Sequence, residues 1–278
     1  MRQAVESEVT GGGDAFTPYH ASMRINAIKA ARSISREIRA SGDPVRADGE
    51  KVYLKSDLVH WGVSAQELRG VVKSFIRAHP DLNRTDLVAI ARELWSQPVR
   101  ERRSAAIELL DNRGELLVAS DIRLLERLLR ESRTWAFVDP LAVNVVGSLV
   151  VRFPKLNATL DRWATDDDFW IRRSALLALL RPLRRGAGDF GRFGRYADGM
   201  LAEREFFIRK AIGWVLRETS KKQPSVVYEW LAPRAGRASG VTVREAVKYL
   251  PKQQREKIMS AYLTSKDPRS SGSRRPAR

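Results

Sequence analysis

A short basic motif returns along this chain at nearly constant intervals, and that restricts the fold to a stack of similar units. Arg102-Arg103-Ser104-Ala105-Ala106 matches Arg172-Arg173-Ser174-Ala175-Leu176, and both match Arg209-Lys210-Ala211-Ile212. Superposing them puts Val138-Asp139 at the missing interval. The equivalent positions are then Arg103, Asp139, Arg173 and Lys210, spaced by 36, 34 and 37 residues. A weak repeat of this length built of helix pairs is the signature of an α-solenoid of HEAT or TPR type. The expected fold is therefore all-α, HEAT-like repeats whose successive second helices line a concave, basic groove.

Helical periodicity supports this along most of the chain. It runs from near Tyr19 to about Ala40 and breaks at Ser41-Gly42-Asp43-Pro44. Val52-Tyr53-Leu54-Lys55-Ser56 follows, then a loop through Gly62. Ser64-Ala65-Gln66-Glu67 has capping-box spacing ahead of a helix reaching Ala78. Thr85 or Asp86 starts the next, which ends before Pro98. Further helices are expected at Arg100–Leu110, Asp121–Glu131, Thr134–Phe153, Leu156–Trp163, Asp168–Leu180, Tyr196–Glu203, Glu205–Thr219, Gln223–Ala232 and Val241–Tyr249. No segment alternates apolar and polar residues between hairpin signals, so no strand is expected. A polar extension over residues 1–17 with Gly11-Gly12-Gly13, one domain over 18–265 and a disordered basic tail over 266–278 complete the expected organisation.

The net charge is +17; residues 266–278 hold five Lys or Arg and one acid, which leaves +13 on the rest. Such a surplus concerns partners rather than fold, and points to nucleic acid or an anionic membrane. The apolar runs, such as Ala136–Val151, read as too short and broken to span a bilayer, which favours DNA and a cytoplasmic, nucleoid-associated protein. There is no Cys, which excludes a disulfide framework, a zinc finger and a Cys nucleophile. No P-loop, GxGxxG or HExxH occurs, so neither metal nor cofactor is expected.

On the segment Glu205–Glu218, Ile208, Ile212, Val215 and Leu216 form a core stripe, while Lys210, Trp214 and Arg217 fall together on the opposite side. Trp214 is either core with two snorkelling cations or part of a surface that meets anions. Trp135 lies four residues before Asp139, so the two share a face if the segment is helical. Pro140 pushes the expected start of regular helix to about Asp139, which then serves either as an N-cap or as a functional carboxylate. In the second reading it is the sole acid in a row with Arg103, Arg173 and Lys210, close to aromatic side chains. Aromatic faces attract cations and Lys or Arg holds phosphate, so the set suits a cationic group carried on a polyanion.

These residues resemble the AlkD-type DNA alkylation repair glycosylases over roughly residues 25–260. The resemblance rests on Val52-Tyr53-Leu54-Lys55-Ser56, Leu94-Trp95 with Glu108-Leu109-Leu110, Thr134-Trp135-Ala136-Phe137-Val138-Asp139, Trp170-Ile171-Arg172-Arg173-Ser174-Ala175 and Glu205 through Trp214. It implies Asp139 as catalytic carboxylate, Trp135 and Trp214 as cleft tryptophans and Tyr53 as cleft tyrosine. The family's functional arginine falls in the Arg172-Arg173 pair, and the repeat register favours Arg173. The implied activity is hydrolysis of the N-glycosidic bond of N3- or N7-alkylated purines in duplex DNA, without base flipping; a monomer is expected, because one convex and one concave surface need no partner. Lys210, Arg103, Arg172, Arg173 and Arg217 are the expected DNA contacts. A non-catalytic HEAT-repeat protein binding duplex or distorted DNA is the alternative, since a basic solenoid does not by itself imply chemistry.

Overall fold

The computed structural model describes residues 25–266, all of them helix or connection. In order these are α1 (Ala27–Ala40), α2 (Pro44–Leu54), α3 (Ala65–Ala78), α4 (Arg84–Trp95), α5 (Arg100–Asn112), α6 (Ile122–Ser132), α7 (Trp135–Pro140), α8 (Gly147–Arg152), α9 (Asn157–Trp163), α10 (Phe169–Leu177), α11 (Leu180–Arg184), α12 (Phe190–Met200), α13 (Phe206–Ser220), α14 (Pro224–Leu231), α15 (Gly240–Ala246) and α16 (Lys252–Thr264). Among the described residues the β pairing is limited to an isolated bridge between Val59 and Val99. The expected extension at 1–17 and almost all of the tail lie outside the described residues.

The repeat reappears in the long-range polar bonds. Arg84 reaches Asp121 at a separation of 37 residues, Trp95 reaches Glu131 at 36, Arg130 reaches Asp166 at 36, Arg173 reaches Asp139 at 34 and Arg234 reaches Asp198 at 36. Each bond links a side chain to its neighbour one repeat on, which is how a solenoid stacks. Between these links one continuous apolar core runs through the stack, from Ile34 and Leu94 through Leu110, Val145 and Leu176 to Leu216 and Val243.

The capping box forms as expected: the Ser64 side chain accepts from Glu67 N, and the Glu67 carboxylate accepts from Ser64 N. Elsewhere the boundaries move for identifiable reasons. The segment ahead of Val52 is helical, because Pro44 occupies the first turn of α2 and the Asp43 side chain caps it by accepting from Val45 N and Arg46 N. α12 begins at Phe190, six residues before the periodicity becomes legible; Gly191, Gly194 and Gly199 dilute its pattern. Pro182 sits inside α11, beyond the turn that ends α10. α16 has no counterpart in the sequence reading.

Residues 135–152 form one continuous helical stretch, not a broken one: α7 is followed by a π-helical segment, Leu141–Val146, and then by α8. Its mean hydropathy of 1.3 over 18 residues meets the length and composition of a membrane span. Phe137, Val138, Leu141, Val145 and Leu149 are nonetheless buried against neighbouring helices, the behaviour of a central core helix.

α13 and α15 approach closely at Gly213. A Cβ there would lie 2.8 Å from Glu245 Cβ and 3.2 Å from the Thr242 backbone. Ala is the better helix former by about 1 kcal/mol, but overpacking two helices costs roughly 1–3 kcal/mol. Gly213→Ala is therefore expected to lower, not raise, the midpoint of thermal unfolding.

Candidate active site on helices 7, 10 and 13

Thr134 starts α7 in extended conformation, and its hydroxyl accepts from Ala136 N at 3.4 Å. Helix therefore begins at Trp135, a turn earlier than expected, and Asp139 is inside it rather than capping it. Pro140 is tolerated within the helix, and the turns that follow it widen to π geometry. A proline ring crowds the carbonyl four residues back, here that of Ala136 in the first turn of α7, and Pro140 has no N–H to donate to it. With Trp135 and Asp139 one turn apart on continuous helix, both side chains leave the same face.

Asp139 points at α10. Arg173 Nε donates to Oδ1 and Nη2 to Oδ2, both at 2.8 Å, a two-pronged contact. Its third prong, Nη1, donates to the carbonyl of Phe207 at the start of α13. The Phe207 ring lies 5.8 Å from the guanidinium. The Arg173 side chain is only 2% exposed, whereas that of Asp139 is 17% exposed. The cation is thus the buried backing of the site and the carboxylate is its face toward solvent. A carboxylate has about four acceptor positions; Arg173 takes two, and the rest remain for what enters from outside.

Arg172 is turned the other way. Its fork is filled by Glu203, at 2.9 and 2.8 Å, and by the carbonyls of Asp166 and Asp167; the Glu203 carboxylate also raises its pKa above the ordinary value. The geometry thus gives the Asp139 contact to Arg173 and not to Arg172. It also corrects two expected roles: Arg172 has no prong directed at the site, and Arg173 is committed to Asp139 rather than open to phosphate.

Two aromatics stand at the rim. Trp135 is 37% exposed and Tyr53, on the last turn of α2, is 74% exposed. Their rings meet edge to face, with centroids 6.3 Å apart and planes at 88°. The pair thus leaves ring surface open to solvent on the face that carries Asp139 one turn after Trp135.

On α13, Phe207, Lys210 and Trp214 recur at three- and four-residue steps and share a stripe, so the face that backs Arg173 continues along Lys210 and Trp214. Lys210 is exposed and sits 5.7 Å from the Phe206 ring. Trp214 is half-buried and packs against the core, between its two expected readings. Arg217 is less available than expected: Glu245 at 2.5 Å and Glu218 at 3.3 Å pair with it. Arg103, one repeat before Asp139, donates to the Glu131 carbonyl at 3.2 Å and lies 5.0 Å from the Trp95 ring. Burial pushes its pKa down, with Glu131 opposing. Phe207 was not singled out by the sequence, although it stands in the motif that carries the resemblance. Among the described residues no group of three or more His, Cys, Asp or Glu is placed to hold a metal.

The family described as DNA alkylation repair enzyme matches residues 34–250, most of the chain and all of the helices that build the site. The chain belongs to that family. A solved structure of a predicted DNA alkylation repair enzyme from Enterococcus faecalis is 25% identical, covers 76% of this chain and 98% of its own, and superposes with a TM-score of 0.69. AlkD2 from Streptococcus mutans, at 14% identity and a TM-score of 0.57, covers 81% of this chain and 99% of its own. The smu.31 protein of Streptococcus mutans UA159, at 15% and 0.54, covers 80% and 100%. These last two share the fold. No curated protein matches. Membership in a DNA alkylation repair family implies DNA as the partner.

Proposed function

We propose that this member of the DNA alkylation repair family is a glycosylase that hydrolyses the N-glycosidic bond of cationic N3- and N7-alkylated purines in duplex DNA. The observation that carries this reading is the Asp139–Arg173 pair: a negative charge fixed from behind by a buried cation, with its front open beside an exposed indole and phenol. An alkylated purine already bears positive charge. When the bond from C1′ to the base breaks, its electron pair leaves with the purine and neutralises that charge, so no general acid is required. Positive charge appears instead on the sugar, in an oxocarbenium-like transition state.

Asp139 then lies where that charge develops. Stabilisation of this electrostatic kind is worth about 3–4 kcal/mol. Water adds to C1′ and loses a proton, which Asp139 can receive. Trp135 and Tyr53 pack on the deoxyribose and offer electron-rich faces to the cation. Arg173 is a positioning residue. Lys210 supplies a phosphate contact, and Trp214 continues the wall along α13. In this reading the lesion stays stacked, so leaving-group charge more than base shape sets the substrate range.

Three duplexes test it, carrying 7-methylguanine, 3-methyladenine and uncharged uracil. Base loss from the first two and none from uracil is expected. Loss from uracil at a comparable rate would contradict a mechanism driven by leaving-group charge, and tight binding without loss from any would mark a binding protein instead.

A further inference from the structure

Beside the aromatic pair lies a second feature, a cavity of about 590 Å³ between the end of α2 and the turn from α6 to α7. Leu54, next in the chain to Tyr53, lines one wall, and Thr134, next to Trp135, lines the other. Among the described residues two non-glycine residues have positive φ: Lys55 and Arg133, both at 48°. Both line this cavity. Each follows a helix C-terminus in left-handed conformation, where glycine is the ordinary choice because a Cβ is strained there. The chain instead holds a long cation at both positions, and no carboxylate pairs with either among the described residues.

Strain of this sort is retained where the side chain serves a purpose the backbone disfavours. The remaining lining charges define it. Arg103 enters from α5, and its buried Nε has no partner. Arg130 is engaged by Asp166 and Glu126. Of the two acids, Glu131 accepts from Trp95 Nε1, and Asp57 is exposed. The groups left over are thus two cations with no carboxylate partner and a third whose Nε is unsatisfied, against one exposed acid, Asp57. That is a receptor for an anion with several oxygens.

We infer that this cavity is a phosphodiester site, in which Lys55, Arg133 and Arg103 grip the DNA backbone one step from the nucleotide that meets Tyr53, Trp135 and Asp139. The inference rests on the DNA reading above and adds a fixed point that sets register on the strand. A cation at a helix C-terminus also meets the favourable end of the helix dipole, so a purely capping role is the rival. The two differ in sign. Replacement by glycine keeps the left-handed backbone and removes the cation.

Lys55→Gly and Arg133→Gly in the full chain, titrated with an undamaged duplex between about 50 and 200 mM salt, test the inference. Each is expected to bind roughly five- to tenfold more weakly near 0.1 M salt, with the log–log salt slope reduced by about 0.9, and to unfold at a temperature no lower than wild type. A lowered unfolding midpoint with unchanged affinity would assign the cations to capping and overturn the site. Unchanged affinity, or weaker binding with an unchanged salt slope, would overturn it as well. Wild-type protein that binds no duplex would remove the DNA reading itself, and the site with it.

Discussion

Asp139→Asn is expected to slow release of 7-methylguanine by about 10²–10³-fold, the usual consequence of removing one electrostatic stabiliser from a transition state. Asn keeps the shape and loses the charge. The same change has a cost for the fold. Arg173 is 2% exposed and draws two of its hydrogen bonds from this carboxylate. Removing one partner of a buried pair leaves an uncompensated charge, commonly a loss of about 3–5 kcal/mol, here lessened because Asn can still accept one bond. Activity must therefore be read well below the unfolding midpoint. Asp139→Asn with Arg173→Met separates the effects: without a buried charge to satisfy, the double variant regains stability, while base release stays at the level of Asp139→Asn. Recovery of activity along with stability would mean that Asp139 acts only as a structural partner of Arg173.

Glu101→Ala is expected to destabilise the protein by about 3–5 kcal/mol, since each buried donor left unsatisfied costs roughly 1–3 kcal/mol and water can recover part of that. Glu101 is fully buried near the start of α5. Its Oε2 accepts from Trp61 N at 3.0 Å, and its Oε1 from Gly62 N at 2.9 Å and Val63 N at 3.4 Å. This loop cannot easily move. Gly62 has φ of 74°, and a Cβ there would lie 2.0 Å from the carbonyl oxygen of Asp43, the cap of α2. Glu101 thus anchors the loop, the loop anchors α2, and α2 carries Tyr53. Thermal unfolding should show a midpoint lower by about 2–4 °C per kcal/mol for a domain of this size. Glu101→Gln, which keeps one carbonyl acceptor, should lose clearly less; equal losses would count against the backbone bonds as the cause.

What was legible in the sequence follows from the repeat. Asp139 and Arg173 stand 34 residues apart, one unit of the stack, so the register that aligned the motif also placed them in contact. The same register favoured Arg173 over Arg172, and Glu203 supplies the physical reason by holding Arg172 away. Contacts between non-equivalent positions were not legible from spacing. Tyr53 meets Trp135 across more than two repeat lengths, and only the family resemblance joined them. Glu101, one residue before the repeat motif, was not singled out, because its partners are backbone N–H groups that have no sequence signature. Lys55 and Arg133 were missed because left-handed caps are announced by Gly or Asn. Pro140 misled, since the rule that proline disfavours helix at the residue before it moved the expected start to Asp139, whereas Thr134 caps the helix at Trp135 and Pro140 is held inside it.

The central claim is that the charge of Asp139, held by Arg173 beside Trp135, severs the bond to a cationic purine. Single-turnover incubation of wild-type protein with a duplex containing one 7-methylguanine tests it most directly, scoring free base by chromatography and abasic sites by alkaline cleavage. Equal amounts of free 7-methylguanine and abasic site, forming far faster than in the protein-free control, are the predicted result. Duplex bound to saturation with base loss no faster than the spontaneous rate would contradict it.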